Sequence, residues 1–120
     1  MRKILLADSS AIVRERSTEY LAELDGVAVV GQAGDAREGK QLAEQLRPDV
    51  TILDLPMSTG REIDLLRDIK SINPPPSIIM LTNDSYTENR QMCLGCGADY
   101  FLDQSTEFQK VARVLAGMAA

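Results

Sequence analysis

Histidine is absent from this sequence, and few single facts exclude as much. Without an imidazole there is no Ser-His-Asp or Cys-His catalysis, no histidine metal ligand and no phosphohistidine on this chain. An excess of basic residues is missing too. The net charge of −5 argues against general nucleic-acid binding, which needs a basic face to displace counterions. No apolar run approaches the ~18–20 residues that span a bilayer, so no membrane partner is expected. The opening Ile4-Leu5-Leu6-Ala7 stretch is too short for a signal-peptide core, and a cytoplasmic location is expected. Repeats, low-complexity tracts and linkers are also lacking.

Cysteine is limited to Cys93 and Cys96, a C-x-x-C pair. A redox pair of this kind needs a helix N-terminus to stabilise its thiolate, whereas this one falls near a helix end, just before Gly97. Two thiols also supply only half of a tetrahedral zinc site, so both are read as packing residues.

What is present is an ordinary globular balance, 44% apolar and 26% charged, in 120 residues, the usual size of one domain. Residues 1–120 are therefore read as a single domain. Five short aliphatic runs, Ile4–Ala7, Val27–Val30, Val50–Leu53, Ile78–Thr82 and Tyr100–Leu102, have the pattern of parallel strands buried on both faces. Amphipathic segments lie between them. The first carries Ile12, Val13, Tyr20, Leu21 and Leu24 and stops at Asp25-Gly26. The second opens on a capping box of Asp35 and Glu38, lines up Gly39, Leu42, Ala43 and Leu46, and stops before Pro48. The third carries Ile63, Leu66, Ile69 and Ile72 and stops at the prolines 74–76, which are read as a loop and not a polyproline ligand. Ser85 and Glu88 form a second capping box, for a helix reaching Gly95-Cys96-Gly97. The last segment repeats apolar residues from Phe108 through Val111, Ala112 and Leu115 to Met118, chiefly a core stripe.

Five such βα units predict an α/β fold, a flavodoxin-like doubly wound five-stranded parallel sheet of order 2-1-3-4-5 with five helices. In such sheets the site lies beyond the carboxyl ends of the strands, where the strand order reverses, here between the first and third strands. Asp8 and Asp54 close those two strands. Thr82 closes the fourth, and Gln104 follows the fifth.

Asp54 leaves a dry strand, Val50-Thr51-Ile52-Leu53, at its carboxyl end. A turn or capping role is the plain reading of one such residue. Asp8 on the neighbouring strand changes the balance. Two adjacent carboxylates repel unless a cation lies between them, and oxygen ligands of this kind suit Mg²⁺. Thr82 adds a hydroxyl able to bond a phosphoryl oxygen.

At this point the chain resembles a known family, the receiver domain of two-component response regulators. The resemblance runs the whole length and is carried by residues 4–11, Pro48-Asp49-Val50-Thr51-Ile52-Leu53-Asp54-Leu55, Ile79-Met80-Leu81-Thr82 and Gly97-Ala98-Asp99-Tyr100-Phe101. It implies that Asp54 is the phosphoryl acceptor, Thr82 the switch hydroxyl and Phe101 the switch aromatic. It implies a Mg²⁺ site on Asp8, Asp54 and the Pro56 backbone carbonyl, with Ser9 where a second acid normally stands. The implied partners are a sensor histidine kinase or phosphotransfer protein, and a downstream target on the face of the fourth helix, fifth strand and fifth helix. No activity beyond autophosphorylation and autodephosphorylation is implied. No DNA-binding or enzymatic output domain is expected in these residues, which would act by docking or as the receiver piece of a longer protein.

Three departures from the family pattern carry weight. Asp8-Ser9 has one acid instead of two, Gln104-Ser105 stands for lysine-proline, and Pro56-Met57-Ser58 alters the usual Met-Pro after the acceptor. The lost acid and lost lysine cancel in formal charge. Their contacts do not cancel: a serine hydroxyl is a poorer Mg²⁺ ligand, and a glutamine bonds phosphate without charge assistance. Weakened Mg²⁺ binding and slowed phosphorylation follow. The alternatives are a pseudo-receiver that binds partners without phosphate, and a flavodoxin-like cofactor binder. The latter usually has a Gly- or Thr-rich phosphate loop where this chain has Asp8-Ser9-Ser10.

Overall fold

Each aliphatic run becomes a strand: β1 (Arg2–Asp8), β2 (Val27–Ala33), β3 (Val50–Asp54), β4 (Ser77–Thr82) and β5 (Tyr100–Asp103). They pair in parallel in the order β2-β1-β3-β4-β5, as the alternation of strands and helices predicts. The helices are α1 (Ala11–Ala22), α2 (Ala36–Leu46), α3 (Arg61–Lys70), α4 (Thr87–Gly95) and α5 (Lys110–Gly117). The computed structural model describes residues 1–54, 61–82, 87–104 and 108–118, and only the backbone of Arg61, Glu62, Thr82, Thr87, Glu88 and Asn89. Among the described residues no helix is long and apolar enough to cross a membrane.

Strand periodicity divides the core into two layers. Leu5, Ala7, Leu53, Ile78 and Met80 face one way, against Ala43 of α2, Leu65, Leu66 and Ile69 of α3, and Cys93 of α4. Ile4, Leu6, Val50, Ile52, Ile79 and Leu81 face the other, against Leu21 of α1 and Val111 and Leu115 of α5. The stripe on the last helix is therefore core, and Phe108 extends it by packing on Tyr20 with ring centroids 5.0 Å apart. Cys93 is fully buried and Cys96 half-buried, and no disulfide joins them, in keeping with packing roles.

Local signals are borne out at α2 in detail. Asp35 accepts from the Glu38 amide at 2.8 Å, while the Glu38 carboxylate reaches back one residue further than expected, to the Gly34 amide at 3.1 Å. The second capping box, Ser85 with Glu88, lies outside the described residues.

Three expectations need correcting. Burial on both faces holds for the central strands but not for β2 and β5, which are the sheet edges, with Val30 and Tyr100 each 37% exposed. Between Ile4 and Leu5 the β1–β2 register jumps from Val29 to Gly31, so Val30 is the extra residue of a bulge. Ile12 is 64% exposed; the buried residues of α1 are Ser17 and Leu21. Finally, α3 ends at Lys70, before Ile72 and the prolines. Ser71 and Ile72 close the turn with backbone hydrogen bonds to Asp68 and Ile69.

Candidate functional site

Two acids meet at the carboxyl edge of the sheet because β1 and β3 are neighbours in register. Asp8 and Asp54 are direct partners in that ladder. Both follow even-numbered core residues of the same layer, Ile4 and Leu6 on β1, Val50 and Ile52 on β3, so the two carboxylates leave the sheet on one face. Asp8 is 3% exposed, whereas Asp54 is half-buried.

Asp8 is held from both ends. Its Oδ1 accepts the Ser10 amide at 2.8 Å, and its backbone carbonyl accepts Arg14 Nη1 at 2.6 Å. Ser10 then caps α1, its hydroxyl accepting the Val13 amide. Ser9, between them, is exposed in the turn.

This placement governs ionisation. Burial, the Asp8 charge and a side-chain hydrogen bond with Asp8 all act in one direction, and Asp54 is pushed up to about 8. Asp54 is therefore harder to ionise than an ordinary aspartate, through its burial first and its acidic neighbour second. A divalent cation placed between the two would offset the part due to Asp8.

The remaining predicted positions fall on the same edge. Thr82 closes β4 opposite Asp103 of β5, and Gln104 follows directly, half-buried. Pro56 lies outside the described residues. Phe101 is 4% exposed and packs in the layer with Met80, Cys93 and Ala98.

The pair suits Mg²⁺ in a limited way. Carboxylate oxygens are its preferred ligands, and the Asp8 repulsion that adds to burial at Asp54 is what a cation would relieve. Among the described residues no group of three or more acids, cysteines or histidines forms a ligand cluster. Mg²⁺ tolerates so sparse a set because it keeps several waters.

Comparison with known proteins decides the family. The family described as the response regulator receiver domain matches residues 4–116. The chain is a response-regulator receiver domain. It is 34% identical over 113 residues to a protein-glutamate methylesterase/protein-glutamine glutaminase of Idiomarina loihiensis, across 92% of this chain and 28% of that protein. The receiver thus spans under a third of the length of such relatives. The response regulator domain of Thermotoga maritima CheB shares its fold with a TM-score of 0.81 at 27% identity, covering 97% of this chain and 91% of that one. A chain of the CheX-CheY-BeF3-Mg²⁺ complex of Borrelia burgdorferi gives a TM-score of 0.80 at 22% identity, covering 95% and 89%, a likeness of fold.

Receiver domains in general take phosphoryl groups from histidine kinases or phosphotransfer proteins on an aspartate, and bind Mg²⁺ at an acidic pocket. In general they are not enzymes in their own right.

Two residues at this receiver's edge escaped the sequence reading. Arg14 looks like one of many charges on a solvated helix. Helical side chains lean toward the helix N-terminus, and that lean lets a residue one turn into α1 reach back to the strand end. Asp103 adds a third carboxylate to the edge, half-buried and opposite Thr82. The cancelling of one lost acid against one lost lysine did not count it.

Proposed function

We propose that this receiver, residues 1–120, accepts a phosphoryl group on Asp54 in a two-component phosphorelay, with its Mg²⁺ and phosphate contacts weakened by Ser9 and Gln104. The pairing of Asp54 with Asp8 at the strand-order reversal carries the reading. Asp8, Asp54 and the Pro56 carbonyl would hold the cation, with Ser9 at most a minor contributor. A chain of the CheX-CheY-BeF3-Mg²⁺ complex of Borrelia burgdorferi, alike in fold, supports it by analogy. When bound, Mg²⁺ neutralises charge on the acidic pair and on the incoming phosphoryl group.

The chain's own part starts with a proton. Asp54 must give up its proton to water before an Oδ can attack phosphorus, a loss that a cation beside it would favour. The Oδ–P bond forms as the bond from phosphorus to the donor's nitrogen or oxygen breaks, and the donor keeps that electron pair. Thr82 would donate its hydroxyl to a phosphoryl oxygen once the acyl phosphate exists, and Gln104 would donate a neutral amide hydrogen bond where a lysine normally stands.

The donor would be a sensor histidine kinase or a phosphotransfer protein in the cytoplasm. The target would dock on α4, β5 and α5. Exposed Met92, Leu94 and Tyr100 on that face support it, at 47%, 39% and 37%.

Beryllofluoride with Mg²⁺ tests this directly. Wild type should show amide shifts spreading from Asp54 to Thr82 and Phe101, and Asp54→Asn should show none. A silent wild type would favour the second reading, a pseudo-receiver that binds partners without phosphate. Ser9 and Gln104 are the observations that support that reading.

A further inference from the structure

We propose that Arg14 is a positioning residue that sets the Asp8 carboxylate against Asp54, a role that rests on the phosphoacceptor reading of the site. With serine at position 9, Asp8 is the one acid of the β1–α1 turn, so the pocket depends on where that single side chain is held.

The Asp8 backbone has three restraints. Its place beside Asp54 comes from the β1–β3 ladder. Its carboxylate is turned by the Ser10 amide at 2.8 Å. Its carbonyl is gripped by Arg14 Nη1 at 2.6 Å, a charge-assisted hydrogen bond from a half-buried guanidinium. Arg14 is itself fixed: its amide bonds the Ser10 carbonyl at 2.9 Å, and its carbonyl accepts the Thr18 hydroxyl at 2.7 Å.

The guanidinium also packs against the β2–α2 turn. A Cβ at Gly34 would stand 3.3 Å from Nη1 and 3.8 Å from Cζ, close enough to push the arginine by a few tenths of an ångström. Gly34 is in turn held by Glu38 Oε1 on its amide, at 3.1 Å. Arg14 therefore links α1, the end of β1 and the β2–α2 turn through the residue that bears the pocket's buried acid. A charge that only solvated α1 would extend into water and touch none of these.

The test is a Mg²⁺ titration followed by amide shifts near Asp54, in wild type, Arg14→Ala, Arg14→Lys and Gly34→Ala, with a melting curve for each. Residues that orient metal ligands from behind typically contribute about 10- to 100-fold in affinity. Arg14→Ala should weaken Mg²⁺ binding about tenfold while the protein stays folded. Arg14→Lys, which can still donate to the Asp8 carbonyl, should recover most of that loss. Gly34→Ala should weaken binding a few-fold by pressing on the guanidinium. Wild-type affinity in Arg14→Ala overturns the proposal; if that variant does not fold, wild-type affinity in Gly34→Ala overturns it instead. A parallel beryllofluoride arm separates the two readings. Wild type that binds Mg²⁺ but not beryllofluoride defeats the phosphoacceptor reading and leaves Arg14 to the Mg²⁺ result, whereas wild type that ignores Mg²⁺ defeats both.

Discussion

Asp8 and Asp54 close adjacent parallel strands as register partners, and burial, with the Asp8 charge added to it, makes Asp54 costly to ionise. That cost falls on the residue proposed as the phosphoryl acceptor.

Stability should reveal it. Unfolded, Asp54 ionises near 3.8; folded, it does so near 8. The folded state thus holds the proton more tightly, and the contribution from Asp54 is full below about pH 4 and is lost as pH rises toward 8. Asp54→Asn removes the titrating group. In chelator, it should leave stability unchanged at low pH relative to an Asp54 protonated in both states. At pH 8 it should gain about 2 kcal/mol, a figure reduced from the full shift because half-burial leaves solvent screening. Urea melts of both proteins at several pH values check this, and parallel pH profiles would contradict it.

Much of this was readable in advance. Aliphatic runs are short because parallel strands are short, and each run here ended within a few residues of its strand. Asp8 and Asp54 were legible as candidate site residues because each directly follows such a run. Arg14 was not, since only the return of α1 over the strand end brings it to the Asp8 carbonyl. Ile12 misled for a related reason. An apolar residue in the first turn after the strand extends past the sheet edge, beyond the core that Leu21 reaches.

A second prediction concerns Thr51, in the middle of β3. Its side chain is fully buried, and its hydroxyl has no hydrogen-bond partner among the described residues. An unpaired buried hydroxyl costs about 1–3 kcal/mol, and valine has nearly the same shape. Thr51→Val should raise the denaturation midpoint by the equivalent of about 1 kcal/mol, with the slope unchanged. A lower midpoint would show that the hydroxyl does find a partner.

At the opposite edge of the sheet, Asp99 Oδ2 accepts both the Ile78 amide at 2.7 Å and Lys70 Nζ at 2.6 Å. Asp99→Ala leaves a strand amide without its acceptor and should cost about 2 kcal/mol. Lys70→Met should cost less, about 0.5–1 kcal/mol, because the exposed side of the ion pair is screened and the aliphatic stem is kept. That stem lies under Gly97, whose φ is +118° and where a Cβ would come within 2.8 Å of Lys70 Cγ. Gly97→Ala should therefore exceed both in cost, from backbone strain and contact together. Chemical denaturation of the three variants gives the order, and a reversal between Asp99→Ala and Lys70→Met would contradict the account.

The most direct measurement is the intact mass of the protein after incubation with a small phosphodonor and Mg²⁺. Wild type is predicted to gain one phosphoryl group, while Asp54→Asn gains none. No mass gain in wild type, or an equal gain in Asp54→Asn, would contradict the assignment of Asp54 as the acceptor.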